Sequence, residues 1–139
     1  NDPAKAKEIA TSMFQSGADV VYHAAGGSGL GLFQAAKEYE DATGTHVWGI
    51  GVDSDQYLTV PEELQPYVLT SMLKRVDVAV YETIKAEVEG NFQGGYITFD
   101  LARDGVGYST SGGFIDDITS QLEDLKQQIV DGAITVPTS

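Results

Sequence analysis

From its first residues the chain alternates helix, strand and polar loop, and that alternation restricts it to a parallel sheet covered by helices. Asp2-Pro3 supplies an N-cap acceptor followed by proline at the first helical position. Ile9, Ala10, Met13 and Phe14 then share one face, so a helix is expected from about Pro3 to Gln15, ended by Gly17. The apolar run Val20-Val21-Tyr22 reads as a buried strand leading into the glycine-rich turn Ala24-Ala25-Gly26-Gly27-Ser28-Gly29, and a second helix is expected from near Gly29 to Ala42. Gly44 stops that helix. His46 to Val52 forms a second strand, closed by Asp53-Ser54-Asp55-Gln56. In such folds the ligand loops lie at the carboxyl ends of the strands, which places the loops at Gly26 and Asp53 on one edge of the sheet.

Past Pro61 and Pro66, Val68 to Leu73 reads as a third strand with Lys74 at its end. Val76, Val80, Ile84 and Val88, four apart, define a helix that stops at Gly90. Tyr96 to Leu101 and Gly105 to Tyr108 suggest a strand pair around Asp104-Gly105, a strong hairpin signal. Ile115, Ile118, Leu122, Leu125 and Ile129 mark a last helix capped by Gly132, and Ile134-Thr135-Val136 ends the chain as a short strand or tail. With no internal repeat, low-complexity stretch or linker, residues 1–139 are expected to form a single domain.

Charge and composition narrow the partners. Eight Lys and Arg against 21 Asp and Glu give a net charge of -13, which repels nucleic-acid backbones and anionic membrane surfaces. No apolar run reaches the length needed to span a bilayer, and no signal-peptide pattern opens the chain. The absence of Cys excludes disulfides, thiolate catalysis and Cys-ligated zinc within these residues, without fixing a compartment.

The glycine-rich turn invites a dinucleotide reading, with Asp53 near the place of a ribose-binding acid, but Leu32 or Gln34 stands where the third small residue belongs. A tight strand-to-helix turn explains the same glycines. Asp53 and Asp55 lack a supporting His or Glu cluster, and His23 and His46 lack the spacing of a zinc motif, so both histidines read as structural or surface residues. Ser109 to Gly113 forms no nucleophile elbow. No catalytic constellation, cofactor site or metal site emerges. Asp53 and Lys74 remain, at the ends of adjacent strands. Together they offer an acceptor and a donor suited to a sugar diol, or a plain ion pair closing the sheet edge. Trp48 and Tyr57 have the faces to stack on a base, although Trp48 lies within a strand and reads more naturally as core.

Gly17-Ala18-Asp19-Val20-Val21, Ala24 to Gly31, Ile50-Gly51-Val52-Asp53-Ser54-Asp55-Gln56 and Leu69-Thr70-Ser71-Met72-Leu73-Lys74-Arg75 occur in that order. Together with Ile129 to Gly132 and Ile134 to Thr138, they resemble the basic membrane protein family of solute-binding lipoproteins. These serve ABC transporters and include purine-nucleoside receptors. The resemblance implies a type I periplasmic-binding-protein fold, two α/β lobes around a ligand cleft. This chain corresponds to most of the second lobe, a flavodoxin-like or Rossmann-like three-layer unit with a parallel sheet. About residues 75–95 are the stretch that could belong to the first lobe in the intact protein. On this resemblance the first lobe, the signal and the lipidated Cys are expected to lie outside these residues.

By resemblance, Asp53 and Lys74 bind ribose hydroxyls, and Gly26 and Gly27 present backbone near the sugar's other end. The implied ligand is a nucleoside and the implied partner an ABC permease, reached through an extracytoplasmic, lipid-anchored parent; neither an enzyme nor a nucleic-acid binder is implied. Two other readings stand beside it: a stand-alone dinucleotide-binding enzyme or sensor, and a lobe that dimerises as an assembly module.

Overall fold

The Asp2 carboxylate accepts the Lys5 amide at 3.0 Å, and Pro3 takes the first helical position, where a missing N–H goes unnoticed. These features start α1 (Pro3–Gln15) where the sequence places it. The computed structural model describes residues 1–137. They form two units interleaved along the chain: Asn1–Leu73 with Tyr108–Ile115, and Lys74–Gly107 with the segment from Asp116 onward.

In the first unit, α1 leads to β1 (Val20–Tyr22), a 3-10 turn at Gly26–Gly29 and α2 (Leu30–Thr43). Gly44, at φ 72°, closes α2 by donating its amide to the Glu40 carbonyl at 2.8 Å. β2 (Trp48–Asp53) and β3 (Val68–Lys74) follow, separated by two 3-10 turns. β1 pairs with β2 and β2 with β3, both in parallel, with Tyr22 opposite Ile50 and Asp53 opposite Leu73. β4 (Val106–Tyr108) completes the sheet order β1-β2-β3-β4, and the residue after it, Ser109, donates its amide to the Ser71 carbonyl at 2.9 Å.

The core gathers Ala10 and Phe14 of α1, Leu32, Phe33, Ala35 and Ala36 of α2, and Val47, Val60, Leu64, Tyr67 and Val68 around the sheet. Two glycines permit the close packing. A Cβ at Gly31 would overlap the Pro3 carbonyl oxygen, so α2 approaches α1 as only glycine allows, and a Cβ at Gly49 would collide with the Phe33 ring.

Four sequence expectations are corrected. β1 is not a buried strand. Val21 packs against the core, but Val20 and Tyr22 point to the other face of an edge strand and are 39% and 50% exposed. The apolar face of α1 likewise splits, with Ala10 and Phe14 buried and Ile9 and Met13 exposed. The hairpin at Asp104-Gly105 does not form. Residues 96–100 adopt no strand, and a 3-10 turn at Leu101–Arg103 takes their place because Asp100 caps the Arg103 amide and Asp104 enters the left-handed region at φ 52°. The last helix, α4 (Thr119–Val130), begins after Ile115 and Ile118, since Ile115 is buried in the first unit. The end of the described chain, Ile134 to Pro137, has no strand, and Thr138 lies outside the described residues.

In the second unit, α3 (Val76–Val88) opens beside a forked contact in which the Arg75 guanidinium donates to both Asp77 carboxylate oxygens at 2.9–3.2 Å. That contact holds the exposed Asp77 carboxyl below its usual range. The Arg75 amide donates to the Gly105 carbonyl at 2.9 Å, and Lys126 of α4 reaches Asp104 at 3.3 Å. The stripe Val76, Val80, Ile84 and Val88 is exposed, reaching 82% at Val88. No helix among the described residues is long and apolar enough to cross a membrane.

Candidate functional site

Because β1 and β2 run parallel, their carboxyl ends deliver two consecutive loops to one edge of the sheet. The loop after β1 carries Gly26 and Gly27, both exposed, with Gly26 at φ 52°. Space around Gly26 is open, whereas a Cβ at Gly27 would first meet the side chain of Asn1. Ser28 ties this turn to the start of α1, its hydroxyl accepting the Asp2 amide at 2.8 Å.

Asp53, the last residue of β2, is exposed and stands at φ 69°, in the left-handed region that a residue with a Cβ enters at a cost of about 1–2 kcal/mol. The chain doubles back immediately, Ser54 donating its amide to the Val52 carbonyl at 2.9 Å. Backbone strain of this kind concentrates at ligand sites. Lys74, the last residue of β3, is also exposed; it is the first residue of the second unit.

Behind these exposed groups lies a layer of buried polar contacts. His23, just past β1, is buried; its Nδ1 accepts the Ala25 amide at 3.3 Å, and its Nε2 lies 2.7 Å from Gln56 Oε1. Gln56 Oε1 also accepts the Val52 amide at 2.9 Å, and the Gln56 amide donates to Ser71 Oγ at 3.0 Å. Asp55 accepts the Ser111 hydroxyl at 2.5 Å. The sequence shows Gln56, Ser71 and Asp55 within its motifs without assigning them roles. His23 reads there only as structural, and its one local signal is a place between a strand and a glycine-rich turn.

The groups with displaced acidities lie elsewhere. The buried Tyr67 hydroxyl is pushed up to about 12, first by burial and then by its hydrogen bond to the Glu40 carboxylate. Glu40 is held below its usual range by that bond and by His46, whose Nδ1 lies 3.1 Å away. His46 lies two residues before the amino end of β2 and Tyr67 one before that of β3, opposite the loop edge, so the cluster fastens the fold. Trp48 is half-buried between the His46 and Phe114 rings, at centroid distances of 4.3 and 4.8 Å, and is thereby committed to packing. Among the described residues no group of three or more His, Cys, Asp or Glu side chains is arranged to hold a metal ion.

An α/β unit with its polar loops at the carboxyl edge of a parallel sheet is the architecture of a small-molecule binding lobe. The family model described as "ABC transporter substrate-binding protein PnrA-like" matches residues 1–139, and the chain belongs to that family, Bmp. The CD4+ T-cell-stimulating antigen of Listeria monocytogenes is 43% identical over 99% of this chain and 42% of its own length. The ABC transporter nucleoside-binding protein BmpA of Lactococcus lactis is 38% identical over 99% of this chain and 41% of its own length. Among solved structures, an ABC transporter solute-binding protein from Aeropyrum pernix superimposes with a TM-score of 0.74 at 32% identity, covering 100% of this chain and 45% of the other. The chain therefore spans about two fifths of the length of the curated relatives it matches.

Proposed function

We propose that the chain forms most of the second lobe of an extracytoplasmic, lipid-anchored solute-binding protein that captures a nucleoside, of purine type, for an ABC importer. About residues 75–95 then belong to the first lobe. The exposed apolar stripe of α3 supports this assignment, because such a face demands a cover. The protein binds and hands over its ligand to the permease without chemical change.

The observation that carries this reading is the match of 99% of the chain to a relative named a nucleoside-binding protein. In this reading Asp53 accepts hydrogen bonds from ribose hydroxyls, Lys74 donates to the same sugar, and the backbone of Gly26 and Gly27 borders it. The exposure and strained backbone of Asp53 support its part. An uncharged nucleoside carries no phosphate to be repelled by the net charge of -13.

Calorimetry of the full-length protein with inosine, guanosine and adenosine tests the proposal. At least one is expected to bind, and Asp53→Ala is expected to weaken it about 10- to 100-fold, the loss of hydrogen bonds to a charged acceptor. Unchanged affinity in Asp53→Ala and Lys74→Ala would overturn the site. Binding of NAD in place of any nucleoside would overturn the function.

A further inference from the structure

We infer that His23 is a positioning residue that couples the two loops of the first unit on the ligand edge, holding the Gly26–Gly29 turn and the Asp53–Gln56 turn as one piece. The hydrogen-bond pattern fixes its protonation. Gln56 Oε1 accepts the Val52 amide, so the atom facing His23 Nε2 is an acceptor and Nε2 must carry the proton. The Ala25 amide points at Nδ1, which must therefore present its lone pair. Both requirements are met by a single species, the neutral ring protonated at Nε2.

The ring thus joins backbone to backbone. On one side it receives Ala25, the residue before the glycine turn; on the other it grips Gln56, whose side chain holds the Val52 amide immediately before Asp53. Its place is built to fit. A Cβ at Gly29 would overlap the ring, Phe33 meets it edge-on at 5.9 Å between centroids, and the His23 amide donates to the Ile50 carbonyl at 3.3 Å. A Cβ at Gly51 would collide with Gln56 Oε1, so this glycine keeps the acceptor in position. No exposed ligand-facing atom is involved, so the residue acts through Gly26, Gly27 and Asp53.

The coupling itself is tested without ligand. Amide exchange and imidazole nitrogen spectra are recorded by NMR on the full-length protein. The spectra should show Nε2 protonated and Nδ1 bare. Gln56→Ala should speed exchange at Ala25, on the other loop, and His23→Ala should speed it at Val52, each about tenfold for the loss of one hydrogen bond. His23→Gln, which retains a donor toward Gln56, should restore protection at Val52 but not at Ala25. Nδ1 protonation in the wild type, or exchange at Ala25 that ignores Gln56→Ala, would overturn the coupling.

The consequence for binding rests on the nucleoside reading and is measured separately with inosine. His23→Ala should weaken inosine binding about tenfold in protein that remains folded. Unchanged affinity would overturn the positioning role. Failure of the wild type to bind any nucleoside would overturn the proposed function, while the exchange results still decide the coupling.

Discussion

Ser111 Oγ donates to Asp55 Oδ2 at 2.5 Å, joining residues 56 positions apart in the first unit. The other carboxylate oxygen of Asp55 is buried with no hydrogen-bond partner among the described residues, which leaves this side chain dependent on one hydroxyl. Ser111→Ala should therefore destabilise the unit by about 1–3 kcal/mol, with Ser111→Thr close to the wild type. Urea midpoints compare the two; equal midpoints for Ala and Thr would show that the bond contributes nothing.

The helix pair rests on a second small-scale fit. At Gly31 an added Cβ meets the backbone carbonyl of Pro3, which cannot swing aside, whereas at Gly27 it meets the flexible end of Asn1. Gly31→Ala should cost about 1–3 kcal/mol and Gly27→Ala less than about 0.5 kcal/mol. Thermal melting distinguishes them, and a reversed order would mean that α1 and α2 separate more readily than their contacts imply.

Stability should fall at both ends of the pH scale, for reasons centred on Tyr67. Its hydroxyl is raised from 10.0 to about 12, so the fold favours the neutral phenol; that contribution is complete below pH 10 and is lost as pH climbs through about 12. Glu40 is displaced below 4.5, so its contribution is present above that value and disappears as pH falls below it. Tyr67→Phe should abolish the alkaline loss and shrink the acid one, leaving the share due to His46. Denaturant midpoints across both ranges provide the check, and an unchanged alkaline arm would implicate another group.

The stripe on α3 yields a comparison between two lengths of chain. Ile84→Lys should change the stability of the 139-residue chain by less than about 0.5 kcal/mol, because Ile84 is exposed there. In the full-length protein it should cost about 2 kcal/mol or more if residues 75–95 pack into the first lobe. Equal effects in both would remove α3 from that lobe.

Local chemistry wrote much of this fold plainly. Asp2-Pro3 and Gly44 set helix ends that the structure reproduces, and β3 begins at Val68 and ends at Lys74 as the apolar run suggests. Where the outcome depended on a distant partner, the pattern misled. Tyr96 to Leu101 has strand-forming residues, but the turn propensity of Asp100 and Asp104 prevails. Val20 and Tyr22 look like core, yet an edge strand covered by helices on one face buries only alternate residues. At the carboxyl edge of the sheet, the loops at Gly26 and Asp53 were visible in the chain. The contact of His23 with Gln56, 33 residues away, was not, because no local periodicity records which two polar groups will meet.

The interleaving of the two units imposes an order on biogenesis. The first unit cannot close when Leu73 leaves the ribosome, because Thr70 Oγ1 donates to the Ser109 carbonyl, Ser71 receives the Ser109 amide, and Ile115 is part of what it buries. All of Lys74–Gly107 must be synthesised before those residues arrive. Until then one side of β3 lacks its partner and is open to pairing with other nascent chains. Synthesis speed and chaperone access over that stretch should therefore govern the yield of folded protein more strongly than the equilibrium stability of either unit.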